Sequence, residues 1–444
     1  MNRKQNIIRM KTFLLSIVVA FMPLFSLAQS QINDSLTLEK AIRLATNNQP
    51  LLHEAEDYVK MAEGRVKQSE SSKYPQISAD LYYDYIGPVS SITMPFPGGG
   101  SFDLTPAHNY DGHVNVQYLI FDFHRRDEWI RLMQSAKLAE SEKINLLKNQ
   151  LAYRTVQAFY SVLFLQESLK VKDEQIHDLL QHLATAKKLV ETGSAVSLDT
   201  LTTRVRVTAV ETQKIGIENM LKQNEIVLKS LLNFHKDTLI HLSGRFVKAV
   251  PPLSVDSLIQ TAFAYREEIK LTKISQQSAQ IQKNLARLSA APTLSAIGSY
   301  GLKDGYPESL YKLRSNWVLG MAAHFPIFEG NLKKAKMETA DWQIQALQNH
   351  LSALQKTISR QVQQAESDLM TSVKQLKMAK EEIISAQVAV QQARVQYKSG
   401  YVTNLALLDA ETSLTRAKLA YLAGLYKITL NKYRLMETMG LRIW

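Results

Sequence analysis

Residues 376–410 read LKMAKEEIISAQVAVQQARVQYKSGYVTNLALLDA. Leu376, Ala379, Ile383, Ala386, Val390, Ala393 and Tyr397 recur at alternating steps of three and four. A 3.5-residue period keeps an apolar seam turned toward a partner helix and drives supercoiling. Ser399-Gly400-Tyr401 then interrupts the pattern. Glycine is the natural residue just past a helix end, because it takes a positive φ without a steric penalty. Leu407, Ala410, Leu414, Ala417, Tyr421 and Gly424 resume the same spacing. The stretch predicts an antiparallel helical hairpin with its tip near Gly400. Upstream, Asn331 to Ser399 holds neither Gly nor Pro, so nothing breaks the outgoing arm.

The same pattern occurs earlier in the chain. Leu169, Lys172, Ile176, Leu179, Leu183, Ala186 and Val190 are in the same phase, and only Lys172 is not apolar. Thr192-Gly193-Ser194 marks a second tip, near Gly193. Residues 110–233 align with 317–440 at an offset of 207, and 37–85 align with 254–302 at an offset of 217. The offset changes within 86–109, where Pro88, Pro95, Pro97, Gly98-Gly99-Gly100 and Pro106 predict a loop. A period of this size is a duplicated domain rather than a solenoid repeat. The predicted organisation is a first repeat over 29–240, a linker over 241–253 containing Pro251-Pro252, and a second repeat over 254–444. Residues 38–72 and 255–289 read as shorter helices, and Asn233 and Gly440 end the returning ones. The outgoing helix from Arg125 to Val190 would reach ~100 Å at 1.5 Å per residue.

Between the helices lie segments of period two. Ile77, Ala79, Leu81, Tyr83 and Tyr85 oppose Gln76, Ser78, Asp80, Tyr82 and Asp84. Tyr110, Val114, Val116 and Tyr118 oppose Asn109, Asp111, His113, Asn115 and Gln117. The second copy repeats this around Leu294–Leu302 and Trp317–Phe325. Strands are predicted at about 75–86, 109–121, 292–302 and 316–327. One apolar and one polar face mean a half-exposed sheet, and aromatic ends fit a membrane barrel with a wet lumen. A soluble sandwich would share the alternation. In lipid, however, four strands cannot close, and an open edge leaves backbone groups unpaired at several kcal/mol each. Sharing among copies solves this: two chains give eight strands and three give twelve.

Composition narrows the classes. Lys plus Arg number 53 against 41 Asp plus Glu, and there are no cysteines. That excludes disulfides, thiolate metal sites and a lipid-bearing N-terminal Cys. Arg3, Lys4, Arg9 and Lys11 precede the apolar run Phe13–Phe25 and then Ser26-Leu27-Ala28, the layout of a secretory signal peptide over 1–28. Its removal lowers the net charge from +12 to +8. Export and the alternation of both charge signs along the helices argue against nucleic acid as a partner. Glycine, at 17 residues, is too scarce for a single-chain porin.

The order helix, strand, loop, strand, long helix, tight turn, returning helix, given twice, resembles the TolC family of bacterial outer-membrane efflux channels. Its carriers are Leu36-Thr37-Leu38-Glu39-Lys40-Ala41, Tyr74-Pro75-Gln76, and Gly400 followed by Leu405 and Leu408-Asp409-Ala410. The resemblance implies a mainly α protein with a membrane β part. Four strands per chain would enter a 12-stranded barrel shared by a homotrimer, continued by long antiparallel coiled-coil helices into the periplasm. It implies passive conduction of substrates handed over by a periplasmic adaptor (a membrane fusion protein) and an inner-membrane pump of RND or ABC type. An exit duct for type I protein secretion is the alternative within the same architecture.

The expected site residues follow. Gly193, Gly400, Tyr401, Leu405, Leu408 and Asp409 are tip or gate candidates by the resemblance. Asp409 also suits a helix start, where the macrodipole favours a carboxylate. Three positions earlier, where some members carry an acid, this chain has Ala406. His113, Asn115, Gln117 and His324 fall on the polar strand faces and are expected to line the lumen. Lys73, Arg287, Arg125, Arg126, Lys333 and Lys334 flank the strands near Trp129 and Phe325, and predict a basic belt at membrane phosphates. No nucleotide, metal or catalytic motif is present, and His177 and His182 are spaced poorly for one helical face. The expectation is therefore no cofactor and no enzymatic activity. A periplasmic coiled-coil adaptor is the rival of a different class, and the four matched strands count against it.

Overall fold

The computed structural model describes residues 35–249, 251 and 254–444; the predicted signal peptide lies outside the described residues. Among these, β1 (Leu36–Thr37), α1 (Leu38–Asn48), α2 (Pro50–Glu70), β2 (Gln76–Tyr85), β3 (Ser91–Thr93), β4 (Ser101–Asp103) and β5 (His108–Phe121) come first. The long helix α3 (Arg125–Glu191) and its return α4 (Ser197–Leu231) complete the first copy. After β6 (Leu242–Ser243) the second copy runs α5 (Val255–Tyr265), α6 (Glu267–Leu288), β7 (Thr293–Lys303), β8 (Arg314–His324), α7 (Leu332–Lys398) and α8 (Asn404–Thr438).

Both long helices have 67 residues, which corresponds to about 100 Å. In α7 the predicted seam is the buried side: Leu376, Ala379, Val390 and Tyr397 are all buried. Both helices stop in the same way. Gly193 (φ 73°) and Gly400 (φ 75°) are left-handed. Ser194 N donates to Leu189 O and Tyr401 N to Gln396 O, at 2.8 and 2.9 Å, which closes the orphan carbonyls. Asn233 and Gly440 end α4 and α8 with positive φ as well.

The four main strands form one antiparallel sheet in the order β2-β5-β7-β8. Registers such as Ile77↔Val116, Val116↔Gly298 and Gly298↔Leu319 keep the apolar positions on one face. That face is bare: Leu81 is 87% and Leu319 80% exposed. Among the described residues, β2 and β8 have no strand paired on their outer edges. All the long helices leave the sheet from the same end.

Four expectations need correction. The fourth strand stops at His324 rather than 327, because Pro326 cannot donate to a ladder. The segment 86–109 is not only loop; β3 and β4 pair as a small hairpin, Ile92 opposite Phe102. The helices expected over 38–72 and 255–289 are each broken in two, at Gln49 (ψ 128°) and Arg266 (ψ 124°), both extended. Pro50 explains the first break, since the residue before proline is driven out of the helical region. The linker is also structured in part. Leu242 pairs in parallel with Leu36, and Phe246 packs against both large cores.

Those two cores lie midway along the helices. One gathers Phe159, Val156, Leu228, Leu232 and Ala41; the other gathers Ile358, Val362, Leu369 and Ile428. Trp444 and Ile443 pack against the first. Below this level the helices lie in the order α4, α3, α8, α7, and above it α2, α3, α6, α7. A protomer is thus one layer with α4, α2 and β2 along one side and α7 and β8 along the other.

Candidate functional site

At the far end from the sheet, polar contacts tie the two hairpins together. Asn404 opens α8, behind a Thr403 side-chain cap that accepts from Ala406 N. His182 Nε2 on α3 donates to Asn404 Oδ1 at 2.6 Å. Asn404 Nδ2 donates to Asp199 O at 3.1 Å and to Thr202 Oγ1 at 2.9 Å, both on α4. Both His182 and Asn404 are buried. The Tyr397 ring stands edge-on to His182 with centroids 5.0 Å apart. Burial, and then the nearby Asp199, pushes the Tyr397 hydroxyl pKa up.

Two turns farther up, Arg394 of α7 spans to both neighbours. Its Nη2 reaches Asp178 Oδ2 at 2.7 Å and Glu411 Oε1 at 3.0 Å. The Glu411 side chain is 6% exposed, so Arg394 is the cation that faces it in a setting largely closed to water. Burial works against the Arg394 charge, but the bonds to Asp178 and Glu411 more than offset it and raise its pKa. Lys172 is buried in the α3 seam, and among the described residues its acceptors are Gln175 Oε1 and Gln213 Oε1, at 3.1 and 2.8 Å. Burial lowers its pKa.

The structure separates the tip candidates. Gly193 and Gly400 form the two turns. Tyr401 is 85% and Leu405 60% exposed, beside the second turn. Leu408 is 2% exposed and belongs to the packing of Leu179, Val207 and Val210. Asp409 is exposed and meets Arg206 Nη2 of α4 at 3.4 Å. His182, Arg394, Asp178 and Glu411 carry the strongest links here; the sequence weighs His182 only against His177 and gives no signal for the other three. Lys172 did give a signal, as the one charge in an apolar seam.

On the sheet, His113, Asn115 and Gln117 share the polar face with Asp80 and Asn316. His113 Nε2 bonds Asn316 Oδ1 at 2.5 Å, Asn316 Nδ2 donates to Tyr306 Oη at 2.7 Å, and Asn115 Nδ2 donates to Asp80 Oδ2 at 2.6 Å. His113 also pairs with Asp111. A Cβ on Gly301 would run into the Gly112 carbonyl and then the His113 ring, so only glycine fits there. His324 is on the same face but at the opposite end, opposite Thr293.

At the junction of sheet and helices, the copies differ. Arg126 is turned inward, its Nε 3.3 Å from Asp122 and its Nη1 donating to Ser72 O. Lys73 pairs with Asp127 at 3.2 Å. His124 and then Lys73 hold the Asp127 carboxyl below the usual carboxylate range. Arg125 is half-buried and Trp129 is 49% exposed, while Lys333 and Lys334 are exposed.

The family model for outer membrane efflux protein matches residues 41–233 and 258–441, once per copy. The chain belongs to this outer membrane efflux protein family. Membership makes it an outer-membrane export channel component with a helical tunnel part. Outer membrane protein TolC of Escherichia coli K12 is 20% identical over 81% of this chain and 77% of its own length. The probable outer membrane lipoprotein SilC of Salmonella typhimurium is 23% identical over 91% and 85%. PrtF of Dickeya chrysanthemi, a proteases secretion protein, is 21% identical over 71% and 70%. Among solved structures, CusC superposes with a TM-score of 0.76 at 19% identity, covering 94% of this chain and 96% of that one. At such identity the superposition shows the fold of an outer-membrane efflux protein.

Proposed function

We propose that three copies close a 12-stranded barrel and a continuous helical tunnel, and that this tunnel passively conducts cargo out of the periplasm. One observation carries the reading: a four-stranded antiparallel sheet with a bare apolar face, two open edges, and every long helix leaving from one end. In hydrocarbon, the free N–H and C=O groups of β2 and β8 each cost several kcal/mol unless paired. Pairing β2 of one protomer with β8 of the next satisfies both edges. The same rotation brings α4 against the next α7. Exposed apolar residues wait on both, Leu198, Leu201 and Val205 on α4 and Ile384, Val388 and Val395 on α7.

In this arrangement the polar strand face with His113, Asn115, Gln117 and His324 lines the lumen. The tips at Gly193 and Gly400 reach toward a periplasmic adaptor. The network of His182, Asn404, Arg394, Asp178, Glu411, Arg206 and Asp409 holds the tips together, so it sets how readily the tunnel opens. An inner-membrane pump supplies the energy, since the channel itself only conducts. The relationship to PrtF favours protein cargo as a second reading, through the same tunnel. Planar-bilayer recording is the test. The purified oligomer should give discrete conducting steps, larger in Arg394→Ala than in wild type. No conductance from either protein would contradict a conducting tunnel.

A further inference from the structure

The junction below β8 differs from the one below β5, although the two are copies. Between β8 and α7 the chain runs Phe325-Pro326-Ile327-Phe328-Glu329-Gly330-Asn331. Ile327 is 95% and Phe328 85% exposed, and Phe325 is 63% exposed. These residues continue the bare apolar side of β8, with Met321 75% and Leu319 80% exposed, one step beyond the end of the sheet. Lys333, Lys334 and Lys336 follow at once, all exposed. None of the three has an ion pair or side-chain hydrogen bond among the described residues. The first turn of α7 contains no acidic residue, whereas that of α3 contains Asp127 and Glu128. Lys334 stands where the first copy has Asp127. Three ammonium groups thus sit at the positive end of a helix macrodipole, where cations are disfavoured, and neither Glu329 before them nor Glu338 after them pairs with any of the three.

We infer that this patch docks on anionic phospholipid head groups in the membrane leaflet nearest the helices. Ile327 and Phe328 would enter the acyl boundary, and the three lysines would meet phosphates at the head-group level. An apolar band followed directly by basic residues is how chains are positioned at a lipid interface. The inference rests on the barrel reading, which makes the bare strand face the lipid face. The other junction is less available, because its Arg126, Lys73 and His124 are committed to Asp122 and Asp127, although Arg125 and Arg287 make no ion pair among the described residues.

The test uses the purified full-length oligomer in a neutral detergent, titrated with phosphatidylglycerol or with phosphatidylcholine. Its melting temperature is recorded together with the number of chains per particle. Wild type should gain more from phosphatidylglycerol. K333Q/K334Q/K336Q should remain trimeric and lose that increment, with affinity for the anionic lipid falling roughly five-fold per lysine. K374Q/K377Q/K380Q, three exposed lysines lower on the same helix, should keep it. A trimeric triple variant that retains the full increment overturns the lipid patch. So does one that falls apart without lipid, since the lysines would then belong to the protomer interface. A monomeric wild type overturns the barrel on which the inference rests.

Discussion

His182 and Asn404 lie 222 positions apart, one in each copy of the repeat, and are joined by a buried 2.6 Å hydrogen bond. It fastens the outgoing helix of the first hairpin to the start of the returning helix of the second. Asn404 uses its amide on both sides, accepting from His182 and donating to α4. Asn404→Ala leaves the buried His182 Nε2 without its acceptor, while the Asp199 carbonyl keeps the Thr202 and Thr203 hydroxyls. An unsatisfied buried group costs about 1–3 kcal/mol. Thermal unfolding should fall accordingly, and hydrogen exchange should quicken in residues 178–210 while the sheet stays protected.

The tip glycines and the terminal glycine separate two kinds of cost. A Cβ on Gly193 or Gly400 meets nothing within 4 Å. Their alanine variants should therefore cost only the left-handed backbone, about 1–2 kcal/mol each. Gly440 is also left-handed, but a Cβ there would stand 2.7 Å from Arg266 N and 2.8 Å from Tyr265 C. Gly440→Ala must displace backbone and should destabilise by clearly more. Chemical denaturation of the three single variants distinguishes them; equal losses would contradict the close contact.

Arg394 and Glu411 test the partly buried ion pair. Arg394→Gln strands a 6%-exposed carboxylate, whereas Arg394→Gln with Glu411→Gln removes both charges. Arg394 itself is 43% exposed, so solvent screens part of the effect. The single variant should lose about 1–3 kcal/mol. The double variant should recover part of it in a double-mutant cycle.

A pH dependence is expected at the equator. Glu267 is 2% exposed at the start of α6, and burial raises its carboxyl pKa above the ordinary value of 4.5. A folded pKa above the unfolded one means that the folded state holds the proton more tightly. Stability attributable to Glu267 is then fully present below about pH 4.5 and is lost as pH rises through the folded value. Glu267→Gln should stabilise the protein at pH 7, and the gain should vanish on acidification. Melting curves over that range decide the sign.

Much of the architecture is written in local signals. The seam from Leu376 to Tyr397 and the glycines at 193 and 400 are short-range facts, and they place both hairpins. The alternation at Ile77 and Tyr110 places the sheet faces. Pro50 and Pro326 were also there to be read, as a helix break and a strand end. Arg266 carried no such signal; its break is held by its own bonds to Glu268 and to the Thr438 carbonyl. The tip network was illegible for a related reason. Arg394 meets Asp178 only because the two hairpins lie side by side, and no spacing in one copy records the neighbour in the other. The uneven use of the junctions shows the same limit. Arg126 and Lys333 look alike in sequence, but only the first has an acid within reach.

In the proposed barrel each chain supplies a third of the strands. The number of chains in the detergent-solubilised particle, measured by light scattering with the detergent mass subtracted, tests it most directly. Three chains per particle is the predicted result. A stable particle of one chain, with β2 and β8 both unpaired, would rule out the shared barrel.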